Sequence, residues 1–272
     1  MNRHEAQNLA TDLKKLKDLA RAKGFCQELS EIHGRLRLGY ATTTIYLEMK
    51  EAYRARKFDE SVMPTHLSEV WHPAPHLVTE FGRANLPLQP VLYCSDGPCA
   101  AIKEIGGRAG DRIAIVEMVL ANKNILPHIF SLGELRARKR TRKGVMGPQL
   151  DALLERMRSM KFDMERTMLI DGFYADVFKN KGKDLYPLSA AIALDFMKPQ
   201  EIDGIAYPSV EHDGCQNLAL KPESALKLLA VKSVRMTRLI KSIRNTFVAR
   251  NEAVSSHIHP SGIIEWNFAK AA

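Results

Sequence analysis

The stretch from Pro64 to Pro90 constrains this chain more than any other. Pro64, Pro73, Pro75, Pro87 and Pro90 cut it into pieces too short for a regular helix, and no hydrophobic period runs through it, so it reads as ordered loop. Loops of that length inside a domain are often functional. Immediately after it, Val91 to Cys94 reads as a short strand, Pro98 to Ile105 as a helix and Arg112 to Val119 as a strand. Strand, helix and strand in such close succession mark the heart of a mixed α/β or α+β domain, of which α+β, a mixed central sheet with flanking helices, is the expected class.

Upstream, Leu9, Leu13, Leu16, Leu19 and Ala20 recur at helical spacing with Lys and Asp between them, which predicts an amphipathic helix over residues 4–23 ended near Gly24. A second helical stretch follows after Ser30, and residues 1–50 read as an N-terminal helical extension, a small lid or a dimer contact. The main domain then occupies 51–272. It carries a helical and basic insertion at about 134–168, where Leu150, Leu153, Leu154 and Met157 make one apolar stripe of a helix from about Pro148 to Met160. A helix over Leu188 to Met197 stops before Pro199. Gly204 to Ser209 and Asn217 to Leu220 read as strands flanking a turn at Asp213 and Gly214. A final helix is expected at about 231–250, with Met236, Leu239, Ile240, Ile243 and Phe247 inward and Lys232, Arg235, Arg238, Lys241 and Arg244 solvated.

At 272 residues and 45% apolar composition the chain can bury a substantial core without staples. No run approaches the roughly 18 to 20 apolar residues of a membrane span, and the start lacks the apolar core of a signal peptide, so the cytoplasm is the expected compartment. Cys26, Cys94, Cys99 and Cys215 are too few for a disulfide framework and are expected to be free thiols. Cys94 with Cys99 and His212 with Cys215 supply soft ligands at an unfavourable spacing, and no metal is expected. The net charge of +9 attracts anionic partners: nucleic acid, an acidic protein or a phosphorylated small molecule. Arg136, Arg138, Lys139, Arg140, Arg142 and Lys143 concentrate it in what reads as a solvated loop, which makes nucleic acid a secondary partner class.

Three segments carry polar residues among glycines, prolines and strand-like runs: Tyr53 to Arg56, Phe81 to Glu104, and Gly204 to Asn217. Singly, each residue has a plainer reading. Arg54 can be a surface arginine, Tyr93 a core tyrosine with a bonded hydroxyl, Glu104 a helix-surface acid and Ser209 a turn former.

Together they resemble the RES domain, a bacterial family named for its Arg, Glu and Ser. GRANLPLQPVLYCSDGPCAAIKE is similar to that family's GR-x-N motif, its strand ending in LY and its helical glutamate, with ten residues from Arg83 to Tyr93 and eleven from Tyr93 to Glu104. YPLSAAIALDFMKPQEIDGIAYPSVEHDGCQNLAL resembles the closing block, which places the serine at Ser209. AYRARKF resembles the opening, which places the first arginine at Arg54, with Arg56 as the competing register. The likeness covers roughly residues 52–222. Leu86 and Leu88 depart from a segment usually rich in Pro and Gly, and Cys94 replaces a more usual aliphatic residue or alanine.

The resemblance implies an ADP-ribosyltransferase-like fold and an enzyme that consumes NAD, with inorganic phosphate as a co-substrate in several members and an antitoxin protein as partner in many. It implies catalytic roles for Arg54, Arg83, Glu104 and Ser209, and an NAD-binding set that adds Tyr93 and Asn217. The chemistry is coherent. Arginines offer planar, always charged donors to a pyrophosphate or phosphate, and a carboxylate such as Glu104 stabilises the oxocarbenium-like centre left when nicotinamide departs. Tyr93 offers an aromatic face and Ser209 a short hydroxyl. NAD phosphorylase or glycohydrolase activity is therefore the leading expectation. ADP-ribosyl transfer to a protein or nucleic acid, with the loop at 136–143 as docking surface, is the second, and non-catalytic nucleic-acid binding the third. A homo-oligomer is admitted by the N-terminal helices.

Overall fold

The computed structural model describes residues 1–38, 40, 44–133, 135, 154–159, 162–211, 215–244 and 246–268. Helices α1 (Arg3–Lys23) and α2 (Gln27–Leu38) lead into strands β1 (Thr44–Tyr46), β2 (Ala52–Phe58) and β3 (Leu92–Ser95). Helix α3 (Pro98–Glu104) and strands β4 (Arg112–Leu120) and β5 (His128–Ser131) follow, then helices α4 (Met164–Phe178) and α5 (Tyr186–Met197). Strands β6 (Gly204–Pro208) and β7 (Gln216–Leu220), helix α6 (Pro222–Leu228) and strands β8 (Leu229–Ile243), β9 (Thr246–Ser255) and β10 (Asn267–Phe268) complete the order.

Among the described residues the strands form one ten-stranded mixed sheet in the order β1-β5-β6-β7-β3-β2-β4-β8-β9-β10. Only β5 and β6 run parallel, joined by a crossover that contains α4 and α5; the other neighbours are antiparallel. Where β2 meets β4 the ladder is continuous from Ala52 to Phe58, but β2 meets β3 only at Tyr53 opposite Ser95. The sheet is thus two halves hinged on one residue pair.

Strand alternation sends Tyr93, Ile205, Tyr207 and Ala219 to one face, where they join a core with Leu16, Leu29, Ile32, Tyr174, Phe178 and Phe196 from α1, α2, α4 and α5. On the same face of the other half, Tyr53, Ile113, Ile115 and Leu239 pack on Ala101 and Ile102 of α3. The opposite face buries Leu92, Val116, Met118, Leu218 and Met236 under Val70 and Trp71 of the proline-rich segment. That segment is loop with two single 3-10 turns, Leu67–Glu69 and Pro75–Leu77.

α1 ends where expected, at Gly24 with φ of 67°, a conformation glycine adopts without strain. Its apolar stripe and that of α2 are buried inside the chain, and complete burial of Leu16, Leu29 or Ile32 is worth roughly 1.5–3 kcal/mol each. The segment 1–50 is also not wholly helical, because β1 forms an edge of the sheet.

The expected C-terminal helix at 231–250 is instead a β-hairpin made by β8 and β9, turning at Arg244 with φ of 50°. β8 buries Val234, Met236 and Leu239 but leaves Ile240 and Ile243 exposed. Register shifts between Met236 and Thr237 and between Leu239 and Lys241 break the two-residue period, so the apolar residues fall at spacings of three and four that imitate a helix. The β-branched Val231, Val234, Thr237, Ile240, Ile243, Thr246 and Val248 favour the strand.

α4 carries no sequence stripe because it is buried on most sides, with Ile170, Asp171, Gly172, Phe173, Tyr174, Ala175 and Val177 all inside. Of the expected insertion helix, residues 154–159 are helical and Met157 is buried; the basic run 136–143 and the turn at Asp213 and Gly214 lie outside the described residues. Among the described residues no helix is long and apolar enough to cross a membrane.

Candidate functional site

The break between β2 and β3 opens a cavity of about 400 Å³ on the helix-covered face, between α3 and the start of α5. Its floor is a row across the sheet: Tyr53 opposite Ser95, Ser95 opposite Asn217, Asn217 opposite Tyr207.

Glu104, the last residue of α3, reaches this row. Its Oε1 accepts hydrogen bonds from Ser209 Oγ at 2.6 Å and from Asn217 Nδ2 at 2.7 Å. Asn217 is oriented in turn by Ser95 Oγ, which donates to its Oδ1 at 2.6 Å. Ser95, Ser209 and Asn217 are all buried. Among the described residues, Oε2 of Glu104 accepts no hydrogen bond.

The loop before β3 is built around the hydroxyl of Tyr93. That oxygen accepts from Ala84 N at 2.8 Å and donates to Asn85 Oδ1 at 2.8 Å, while Asn85 Nδ2 donates to Leu86 O at 3.0 Å. Gly82 is required here: a Cβ would stand 2.7 Å from the Tyr93 hydroxyl and collide with Asn85 Oδ1. Burial pushes the Tyr93 phenol well above its ordinary value, so it stays protonated as a donor. The loop presents Arg83, whose Nη1 donates to Phe178 O and Asn180 O, 2.7 Å each, at the end of α4. Its guanidinium lies 5.1 Å from the Tyr186 ring centre.

Arg54 and Arg56 alternate with Tyr53 and Ala55 along β2 and so leave the strand on the face opposite Tyr53, yet both are among the residues that line the cavity opened at the break. Arg54 is held across the break between the strands: Nε donates to Val70 O at 3.2 Å and Nη1 to Tyr93 O at 3.1 Å. Burial lowers its pKa to about 10, which leaves it charged at neutral pH. Arg56 is more exposed and donates to Glu69 O at 2.6 Å. Lys57 is tied to Asp111 at 2.7 Å.

The structure therefore brings Arg54, Arg83, Tyr93, Glu104 and Asn217 to one cavity, with Ser209 bonded to Glu104 behind its wall. Arg54 and Arg56 are both present, one at the junction and one toward solvent. Sequence reasoning missed Ser95, Tyr186 and Tyr207. Ser95 lies two residues from Tyr93, and Tyr207 two from Ser209, so strand alternation could have found both. Tyr186, at the start of α5, carries no such signal. Tyr207 is fully buried, its ring 4.8 Å from that of Phe178.

Cys94 points away from the row, and burial pushes its thiol up to about 12. Among the described residues no three His, Cys, Asp or Glu side chains cluster as metal ligands, and His212 lies outside them.

A family model, that of the RES domain, matches residues 51–239. The span includes every residue of the cavity named above and excludes α1, α2, β1, β9 and β10. No curated protein and no solved structure matches the chain.

Proposed function

The chain belongs to the RES domain family, and from that membership we propose that it is an enzyme that cleaves the nicotinamide–ribose bond of NAD, on an ADP-ribosyltransferase-like scaffold. One observation carries the reading: in a cavity edged by Arg54, Arg56 and Arg83, the one carboxylate among the described lining residues is fixed through one oxygen by two donors. A carboxylate held in that way does not rotate, and its other oxygen has a defined position.

In the proposed reaction the bond between the ribose anomeric carbon and the nicotinamide nitrogen breaks heterolytically. The electron pair goes to nicotinamide, which leaves neutral, and the ribose carbon becomes cationic. Glu104 faces that developing charge, and preorganised groups of this kind supply much of an enzyme's rate enhancement. Ser209 and Asn217 hold the carboxylate, and Arg54 and Arg83 meet the anionic phosphates. Phosphate or water then adds to the cationic carbon, giving a phosphorylase or a glycohydrolase.

The test is incubation of purified protein with NAD, with and without inorganic phosphate, and identification of the products. Nicotinamide plus phosphorylated ADP-ribose marks the phosphorylase and nicotinamide plus ADP-ribose the glycohydrolase; intact NAD in both arms refutes the reading. The same proposal includes toxicity relieved by an antitoxin protein. Expression in a bacterial host should then arrest growth, and Glu104→Gln should remove the arrest.

A further inference from the structure

A second cavity, of about 310 Å³, adjoins the first, and Arg54, Gly82 and Tyr93 line both. Its walls are mainly apolar, with the rings of Pro73, Phe81 and Pro90 beside Val78 and Val91; Thr79 and Glu80 stand exposed at its rim, the Glu80 carboxylate already neutralised by Lys183 at 2.8 Å. Ligand pockets run from about 300 to 1,000 Å³, so each compartment sits near the lower end. Either alone suits a nucleoside better than a dinucleotide.

The residue between them is a partly buried arginine. Its described hydrogen bonds go to two backbone carbonyls, and among the described residues no carboxylate lies within ion-pairing distance. A cation withdrawn from water without an acidic neighbour is costly unless an anion approaches it. A dinucleotide has the complementary form: a planar base at each end and two phosphates in the middle.

We infer that the second cavity is the subsite for the adenosine end of the dinucleotide, with Arg54 beneath the pyrophosphate and the nicotinamide ribose beside Glu104. This rests on the proposal that NAD is the substrate. The chemistry of the walls also defines the selectivity. Both N–H groups of the Asn85 amide are directed to backbone carbonyls, Leu86 O at 3.0 Å and Glu80 O at 3.4 Å, so that amide does not read the purine's edge and the base is recognised by stacking and shape.

Thr79→Trp and Leu77→Trp test the assignment. Both residues line only the second cavity and both are exposed, so bulk can be added there without disturbing the core. Nicotinamide release is measured from NAD and from nicotinamide mononucleotide, which has the same scissile bond without the adenosine. AMP binding is measured by calorimetry. The expected result is that preference for NAD over the mononucleotide falls by roughly tenfold or more in both variants and that AMP binding is lost. An unchanged preference, or AMP binding equal to that of the parent protein, overturns the subsite. If the parent releases nicotinamide from neither substrate, the NAD-cleaving reading fails separately. The AMP titration still decides the cavity: binding lost in both variants supports it, and no binding by the parent overturns it.

Discussion

Ser209 Oγ donates a 2.6 Å hydrogen bond to Glu104 Oε1 across 105 positions of sequence. The bond joins the end of β6 to the end of α3, and with Asn217 it gives the carboxylate one orientation. Glu104→Gln keeps an oxygen for both donors while removing the charge. It should fold normally and lose on the order of 100-fold to 1,000-fold in nicotinamide release at saturating NAD. Ser209→Ala removes one of two positioning donors and should lose less. Glu48→Gln, at an exposed carboxylate between β1 and β2 that lines neither cavity, is the control and should match the parent.

Glu117, on β4, lines neither cavity and instead forms a junction of charges. It is buried, lies 2.6 Å from Lys232 and 3.4 Å from Arg235, and accepts from Ser233 Oγ at 3.3 Å. Lys232 also pairs with Glu51 at 2.7 Å, and Glu51 accepts from the Tyr53 hydroxyl at 2.5 Å. Glu117→Gln should therefore lower the melting temperature, with any loss of turnover following the folded fraction. A thermal melt and a turnover assay on the same sample separate the two effects.

The Tyr93 hydroxyl is a loop anchor before it is a ring for substrate. Tyr93→Phe leaves Ala84 N and Asn85 Oδ1 without that partner, a cost of about 1–3 kcal/mol. Because the loop carries Arg83, the expected kinetic signature is a raised KM for NAD with kcat less affected. An unchanged KM in a folded variant would show that Arg83 is positioned by Phe178 and Asn180 alone.

Asp195 on α5 binds α2 through His33 Nδ1 at 3.3 Å and Arg37 Nη1 at 3.0 Å. The adjoining His33 ring nitrogen, followed by the charge of Arg37, holds its carboxyl below the usual value of 3.8. A carboxyl with a lowered folded-state pKa stabilises the protein above its unfolded pKa, and the contribution disappears as pH falls through the lower folded value. The stability difference between the parent and Asp195→Asn should be constant near neutrality and shrink below about pH 4. Denaturant melts across that range check it.

Local pattern determined much of this protein. The proline-rich loop, α1, β3, α3, β4, α5, β6 and β7 follow from periods, breakers and propensities that neighbouring residues carry themselves. The order of Arg, Tyr, Glu and Ser along the chain marked the family. Tertiary structure decided what depends on partners far away in sequence. The hairpin of β8 and β9 required pairing with β4, because its register shifts hide the strand period. α4 had no stripe to read, being enclosed on most sides. The cavity itself comes from β2 and β3 meeting at one residue pair, and its floor of Tyr53, Ser95, Asn217 and Tyr207 is a line of cross-strand neighbours. Register between strands is set by the whole sheet's packing, so a side chain's identity was legible in the chain while its neighbour was not.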